Sequence, residues 1–296
     1  MGLERALALF AVPVGDRVAV RAADDAVRRD AALAAWVAQA AAALVAAMGN
    51  PSPGPSLPPR PLHLPGVAAY LPVVAFVRVL PELLAEHKRR GVTPQVTADT
   101  LADVGRMLVR NRAWCGEVGL GDELTSWLTR HGHGAIVQLG RLQFERRRLV
   151  PGPGLELRQA GFPCGPGDLV LDLHIPGNSG RLLPGSVDAS LAAARTFFRK
   201  RYGEERYAAL VCHSWLLDPQ LVAMLPPSSN LVAFQSRFTL GGEPGDGDRS
   251  VRRFLWDDAA TPWAQLPRDS TLRRAVLDLW AGGGHWHERG GWLPWR

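Results

Sequence analysis

Near Gly134 the spacing of apolar residues changes period, so the chain divides there into two stretches that call for different architectures. Before that point apolar residues recur every three or four positions, as they do along one face of a helix. From Asp24 to Met48, the residues Val27, Leu33, Trp36, Val37, Ala41, Leu44 and Met48 keep this spacing, which predicts one helix stopped by Gly49, Asn50 and Pro51. The Pro-, Ser- and Gly-dense run from Pro51 to Pro65 reads as a loop. Gly66 to Arg90 is apolar again and closes on His87, Lys88, Arg89 and Arg90 before Gly91, where basic side chains suit the negative end of a helix dipole. Thr97 to Asn111, capped by Thr97 or Asp99, and Asp122 to Arg130 complete a helical domain over residues 1–134.

The remainder, 135–296, reads as a mixture of strands and helices. Ala135 to Gly140 and Leu142 to Leu149 alternate apolar and polar residues, as two antiparallel strands joined by a tight turn would. Pro151 to Gly167 reads as a long loop, Asp168 to Ile175 as a strand, Ser186 to Arg201 as a helix and Tyr207 to Leu216 as a buried strand. Asp218 to Leu225 is expected to be a short helix, with Asp218 as cap and Pro219 in its first turn. Asn230 to Leu240 and Val251 to Trp256 read as two further strands and Thr271 to Trp280 as a helix. The Trp-rich end, His285 to Trp295, fits either a last strand or a packed tail. The fold class expected is α+β, a helical domain followed by a mixed sheet flanked by helices.

Composition narrows the partners. A chain of 296 residues that is 47% hydrophobic can bury real cores. No run of about 18 uncharged apolar residues occurs, so no membrane partner is expected. The first residues lack the order of a secretory signal, and Ala6 stands where a myristoylation site needs Ser or Thr. The net charge of +6 comes from scattered arginine with no aromatic-and-basic stripe, so nucleic acid is not expected either. Cys115, Cys164 and Cys212 are odd in number and far apart, which fits a reducing cytoplasm rather than a disulfide framework. His131/His133 and His285/His287 lack a third ligand at metal spacing, and no metal is expected.

Two segments carry polar residues where a strand should be most apolar. In the first, Leu169 to Pro176, strand alternation puts Asp172 and His174 on one face and Leu169, Leu171 and Leu173 on the other. A carboxylate beside an imidazole orients the ring and raises its basicity, as a general base near neutral pH requires. Ile175 and the loop Gly177, Asn178, Ser179, Gly180 and Arg181 lead into the following helix, and backbone N–H groups at such a helix start face an anion well. In the second, Ala209 to Pro219, His213 and Ser214 fall at the end of a buried strand, followed by Trp215. Alternation turns Cys212 away from His213, which weighs against a cysteine nucleophile, and no G-x-S-x-G elbow surrounds Ser214 to support a Ser-His-Asp hydrolase with Asp218.

The run from Asp172 to Phe238, with His174-Ile175-Pro176, Cys212-His213-Ser214-Trp215-Leu216-Leu217-Asp218-Pro219, Leu225-Pro226 and Ser229 to Phe238, resembles a bacterial family of acyltransferase-domain proteins. These join a helical N-acyltransferase N-terminal domain to a GNAT-like C-terminal domain. The element order is also that of the GNAT fold, in which two parallel neighbouring strands splay and the thioester arm of CoA pairs with strand backbone in the gap. The resemblance implies acyl transfer from acyl-CoA to an amine. In that reading His174, Asp172 and His213 are the catalytic group, with Asp172 orienting His174. Ile175, Gly177, Gly180, Arg181 and Cys212 hold the co-substrate, and Ser214, Trp215 and Asn230 line the acceptor pocket. The stretch Gly177 to Arg181 departs from the family's usual phosphate signature, which keeps open a second reading, a catalytically silent acyl-CoA-binding sensor or scaffold.

Overall fold

The computed structural model describes residues 2–61, 65–177 and 179–295, so Asn178 of the expected anion loop lies outside the described residues. The chain forms two compact units, Met1–Leu139 and Gly140–Arg296.

The first unit is helical. The stretch read as one helix from Asp24 to Met48 is two, Val14–Arg29 and Ala31–Ala46, bent by 107°. The break has a chemical cause. Asp30 is extended and its carboxylate accepts from the N–H groups of Ala32 (2.8 Å) and Leu33 (3.1 Å), which starts a new helix. Thr97 to Asn111 is likewise divided into Pro94–Leu101 and Asp103–Cys115, and the cap is Thr93 rather than Thr97 or Asp99. The helix Leu71–Arg90 runs through the core, burying Val73, Val74, Phe76, Leu80 and Leu83, and ends on Gly91 at φ 66°. The stretch Gly66–Arg90 is long and apolar enough to cross a membrane, yet most of it is buried in this unit's own core.

The sheet has six strands in the order β1-β2-β3-β4-β6-β5. These are β1 (Ile136–Leu139), β2 (Leu142–Arg148), β3 (Leu169–His174), β4 (Tyr207–Ser214), β5 (Thr239–Asp246) and β6 (His287–Pro294). β2 and β3 are antiparallel, β3 and β4 parallel, and β6 runs antiparallel to both β4 and β5. The right-hand half of this sheet differs from expectation. Asn230–Gln235 is a helix capped by the Ser229 hydroxyl on the Leu231 N–H, and Asp248–Trp256 is a helix too, so the fifth strand comes from the Gly-rich run between them. The Trp-rich end is not a tail but β6, placed between β4 and β5. Gly290 and Gly291 allow this close packing. A Cβ on Gly290 would come within 2.9 Å of the Phe162 ring, and one on Gly291 within 2.9 Å of Leu217.

Helices cover both sides of the sheet. The expected loop from Pro151 contains the helix Pro151–Gln159, and the turn after it seats Phe162 with Leu149, Cys164, Val170, Ala209 and Val211 on one face. On the other face the helix Pro184–Arg201 meets β2 through an edge contact between Phe198 and Phe144, ring centroids 6.3 Å apart.

Candidate active site

β3 and β4 are parallel neighbours, and their pairing stops short of their ends. The last paired residues are Asp172 and Val211, while β3 continues to His174 and β4 to Ser214. Beyond that point β3 stays with β2 through Gln143 and His174, and β4 stays with β6 through Ser214 and Arg289. Each strand thus follows its antiparallel partner and the parallel pair parts.

Register decides which side chains meet at the parting. Asp172 lies opposite Glu145 on β2 and opposite Val211 on β4, so period two puts Glu145, Asp172, His174 and His213 on one face. On that face His174 Nε2 meets Glu145 Oε2 at 2.7 Å. Asp172 does not hold His174; its carboxylate accepts from Arg147 Nη1 at 2.5 Å. The two contacts explain each other. Glu145 and Asp172, both buried, face each other directly, and two carboxylates so placed need a cation or proton donor each. Arg147 serves Asp172 and His174 serves Glu145.

A second pair mirrors the first across the parting. His213 lies opposite Gly290 on β6, and its Nδ1 meets the carboxylate of Glu288, two residues along, at 3.1 Å. The other oxygen of Glu288 accepts from the Ser250 hydroxyl. The Glu288 hydrogen bond pushes the His213 pKa up against the opposing effect of burial, and His213 in turn holds the Glu288 carboxyl below its ordinary range. Neither Glu145 nor Glu288 was singled out from sequence, because each comes from a strand whose register local patterning does not reveal.

The other expected site residues take different places. The Cys212 thiol is buried on the opposite face, and desolvation pushes its pKa well up, which leaves it a poor nucleophile. Ser214 Oγ accepts from the Leu216 N–H at 3.1 Å and caps the turn Trp215–Leu217, in which Trp215 is buried. Buried Asp218 accepts from the Gln220 N–H at 3.0 Å and the His287 N–H at 2.8 Å. Ser214 and Asp218 are therefore engaged in local capping and do not form a hydrolase triad with His213. Asn230 opens a helix, half-buried, with Ser229 as its cap. Ile175, Gly177, Gly180 and Arg181 form the loop after β3, with Gly180 at φ 81° and Arg181 exposed. The helix that follows starts at Pro184, earlier than expected, and its N-terminus has no side-chain cap.

Among the described residues, no cluster of potential metal ligands includes the paired histidines. His131 lies 3.3 Å from Asp103, His285 2.7 Å from Asp248 and His287 3.4 Å from Asp218. The ligand atoms of Glu145, Asp172 and His174 do lie within 4.8 Å of one another, a spacing that sequence did not reveal. There the Arg147 and His174 contacts already engage both carboxylates.

This fold and site define a GNAT-like acyltransferase architecture, and the comparisons agree. The family described as N-acyltransferase N-terminal domain matches residues 1–134, and that described as GNAT-like C-terminal domain matches residues 136–293. An acyltransferase crystallised with decanoyl-CoA is 32% identical and superposes with a TM-score of 0.84 over 98% of this chain and 86% of that one. An acyltransferase mutant in complex with octanoyl-CoA is 31% identical, with a TM-score of 0.84 over 98% of this chain and 87% of its own. An acyltransferase in complex with decanoyl-CoA and teicoplanin is 31% identical, with a TM-score of 0.82 over 99% and 87%. No curated protein matches the chain at a significant level. The chain belongs to the acyltransferase family that joins an N-acyltransferase N-terminal domain to a GNAT-like C-terminal domain.

Proposed function

We propose that this protein transfers an acyl group from acyl-CoA to a primary amine by direct attack on the thioester. The observation that carries the reading is the placement of His174–Glu145 and His213–Glu288 on one face, either side of the point where β3 and β4 part. A pantetheine arm entering such a gap finds strand backbone to pair with, and its thioester then lies between two imidazoles. An amine that attacks a thioester must lose a proton, and His174 accepts it, oriented by Glu145. Asp172 is paired with Arg147 instead. The carboxylates Glu145, Asp172 and Glu288 on this face attract an acceptor that arrives as an ammonium ion and gives one proton to water before it attacks.

Ile175, Gly177, Gly180 and Arg181, with the uncapped helix start at Pro184, supply the anion site for the CoA phosphates. Backbone N–H groups of β4 past Val211 serve the oxyanion, and Trp215 and Asn230 bound the acceptor side. The decanoyl-CoA and octanoyl-CoA held by similar structures support a medium-length acyl chain. In this reading the helical domain spans 1–134 and the catalytic domain 135–296. The three free cysteines fit a cytoplasmic setting.

The test is thiol release from octanoyl-CoA and decanoyl-CoA across a panel of primary amines, amino sugars and teicoplanin, for wild type and His174→Ala. Turnover in the wild type that falls by about a hundredfold or more in the variant, with CoA binding kept, supports the enzyme. The loop from Gly177 to Arg181, which lacks the usual phosphate signature, favours the second reading, a silent acyl-CoA sensor. Tight acyl-CoA binding with no thiol release on any amine would establish that reading instead.

A further inference from the structure

Amine acylation moves two protons, one off the nitrogen and one onto the departing sulfur, and this site holds two imidazole–carboxylate pairs. We propose that the pairs divide this work: His174 with Glu145 takes the proton from the attacking amine, and His213 with Glu288 delivers a proton to the sulfur of CoA. The inference rests on the acyl-transfer reading above and assigns His213 a role of its own within it.

The geometry is symmetrical in a way that one base alone would not need. Glu145 lies opposite Asp172 and bonds His174 two residues along β3; His213 lies opposite Gly290 and bonds Glu288 two residues along β6. Both pairs are diagonal contacts of antiparallel ladders, both project from the same face, and the parting of β3 and β4 lies between them. His213 presents Nδ1 to Glu288, so in the protonated ring Nε2–H is the donor. The surroundings separate their tasks. The charged groups facing His213 are Glu288 on β6, Asp172 on β3 and Arg147 on β2, and the two carboxylates favour the protonated ring against the one guanidinium. His213 is also 60% exposed, against 21% for His174, so it can take up a proton from water between turnovers.

The step balances. The amine nitrogen bonds the acyl carbon and its proton passes to His174; as the C–S bond breaks, its electron pair stays on sulfur, which takes the proton of His213. Amide and free CoA leave a protonated His174 and a neutral His213, and water returns both to their starting states.

A general acid matters in proportion to the basicity of its leaving group, so the test varies that group. Aminolysis of decanoyl-CoA is compared with that of decanoyl thionitrobenzoate, whose thiolate leaves without help, in wild type, His213→Gln, Glu288→Gln and His174→Gln. His213→Gln should lose about a hundredfold with decanoyl-CoA yet stay within about threefold of wild type on the activated ester, and Glu288→Gln should follow it at about tenfold. His174→Gln should lose activity with both donors. The ratio of the two donors within one variant is independent of how much of it folds. Wild type should also lose decanoyl-CoA turnover as pH rises through the His213 titration, and His213→Gln should lack that alkaline limb. Equal losses on both donors, or an unchanged alkaline limb, would overturn the assignment while leaving acyl transfer intact. No thiol release by wild type from either donor would overturn both.

Discussion

Glu145 and His174 touch at 2.7 Å without facing each other: the residue directly across from Glu145 is Asp172, and the one across from His174 is Gln143. The contact runs diagonally across the β2–β3 ladder, and the Arg147–Asp172 contact runs along the same diagonal one step further down. Two buried carboxylates directly opposed would repel, and the diagonals give each its own partner. Function and stability are thereby shared out between two acids that look alike in sequence.

Glu145→Gln should therefore lower turnover by about tenfold or more while the protein stays folded, because it removes the group that sets the tautomer of His174. Steady-state kinetics alongside a thermal melt checks this; a variant with wild-type kcat would remove Glu145 from the site.

Asp172→Asn should act mainly on stability. It leaves the Arg147 guanidinium, partly buried, without its carboxylate, at a cost of roughly 1–3 kcal/mol. Urea denaturation measures the loss. A variant as stable as wild type but inactive would return Asp172 to the orienting role expected from sequence.

The His213–Glu288 pair predicts a pH dependence of stability with a defined sign. Raising the His213 pKa from 6.5 adds stability that is complete below that value and fades as pH rises through the raised one. Lowering the Glu288 pKa from 4.5 adds stability that is complete above that value and fades as pH falls through the lowered one. The pair should thus contribute most between pH 4.5 and 6.5. Ring-proton NMR should show His213 titrating above an ordinary histidine and shifting down in Glu288→Gln. An unshifted titration would contradict the contact.

Thiol chemistry should separate the cysteines. Cys115 is exposed and should react quickly with an aromatic disulfide, while Cys164 and Cys212 are buried and should react only on unfolding. Cys212→Ala should keep thiol release within a fewfold and cost about 1–2 kcal/mol from the cavity it leaves. An acyl adduct on Cys212 in a mass spectrum taken during turnover would sink direct transfer.

In the helical unit, Asp30→Ala removes a carboxylate that accepts from two backbone N–H groups and should cost about 1 kcal/mol, read by chemical denaturation.

The sequence by itself determined the first four strands and the sharing of one face by Asp172 and His174, because those follow from local periodicity. It misread Asn230 to Leu240 and Val251 to Trp256. The short apolar runs there suit strand or helix equally by pattern, and the Ser229 cap and the i, i+4 placement of Val251 and Leu255 decide for helix. It left the Trp-rich end undecided because a strand rich in Gly and Trp earns its place only when Phe162 and Leu217 pack onto Gly290 and Gly291. Only the tertiary structure chose Glu145 and Glu288 as the carboxylates of the two histidines. A shift of one residue in either ladder would turn those acids to the other face, and register is set by the packing of the whole sheet rather than by any segment within it.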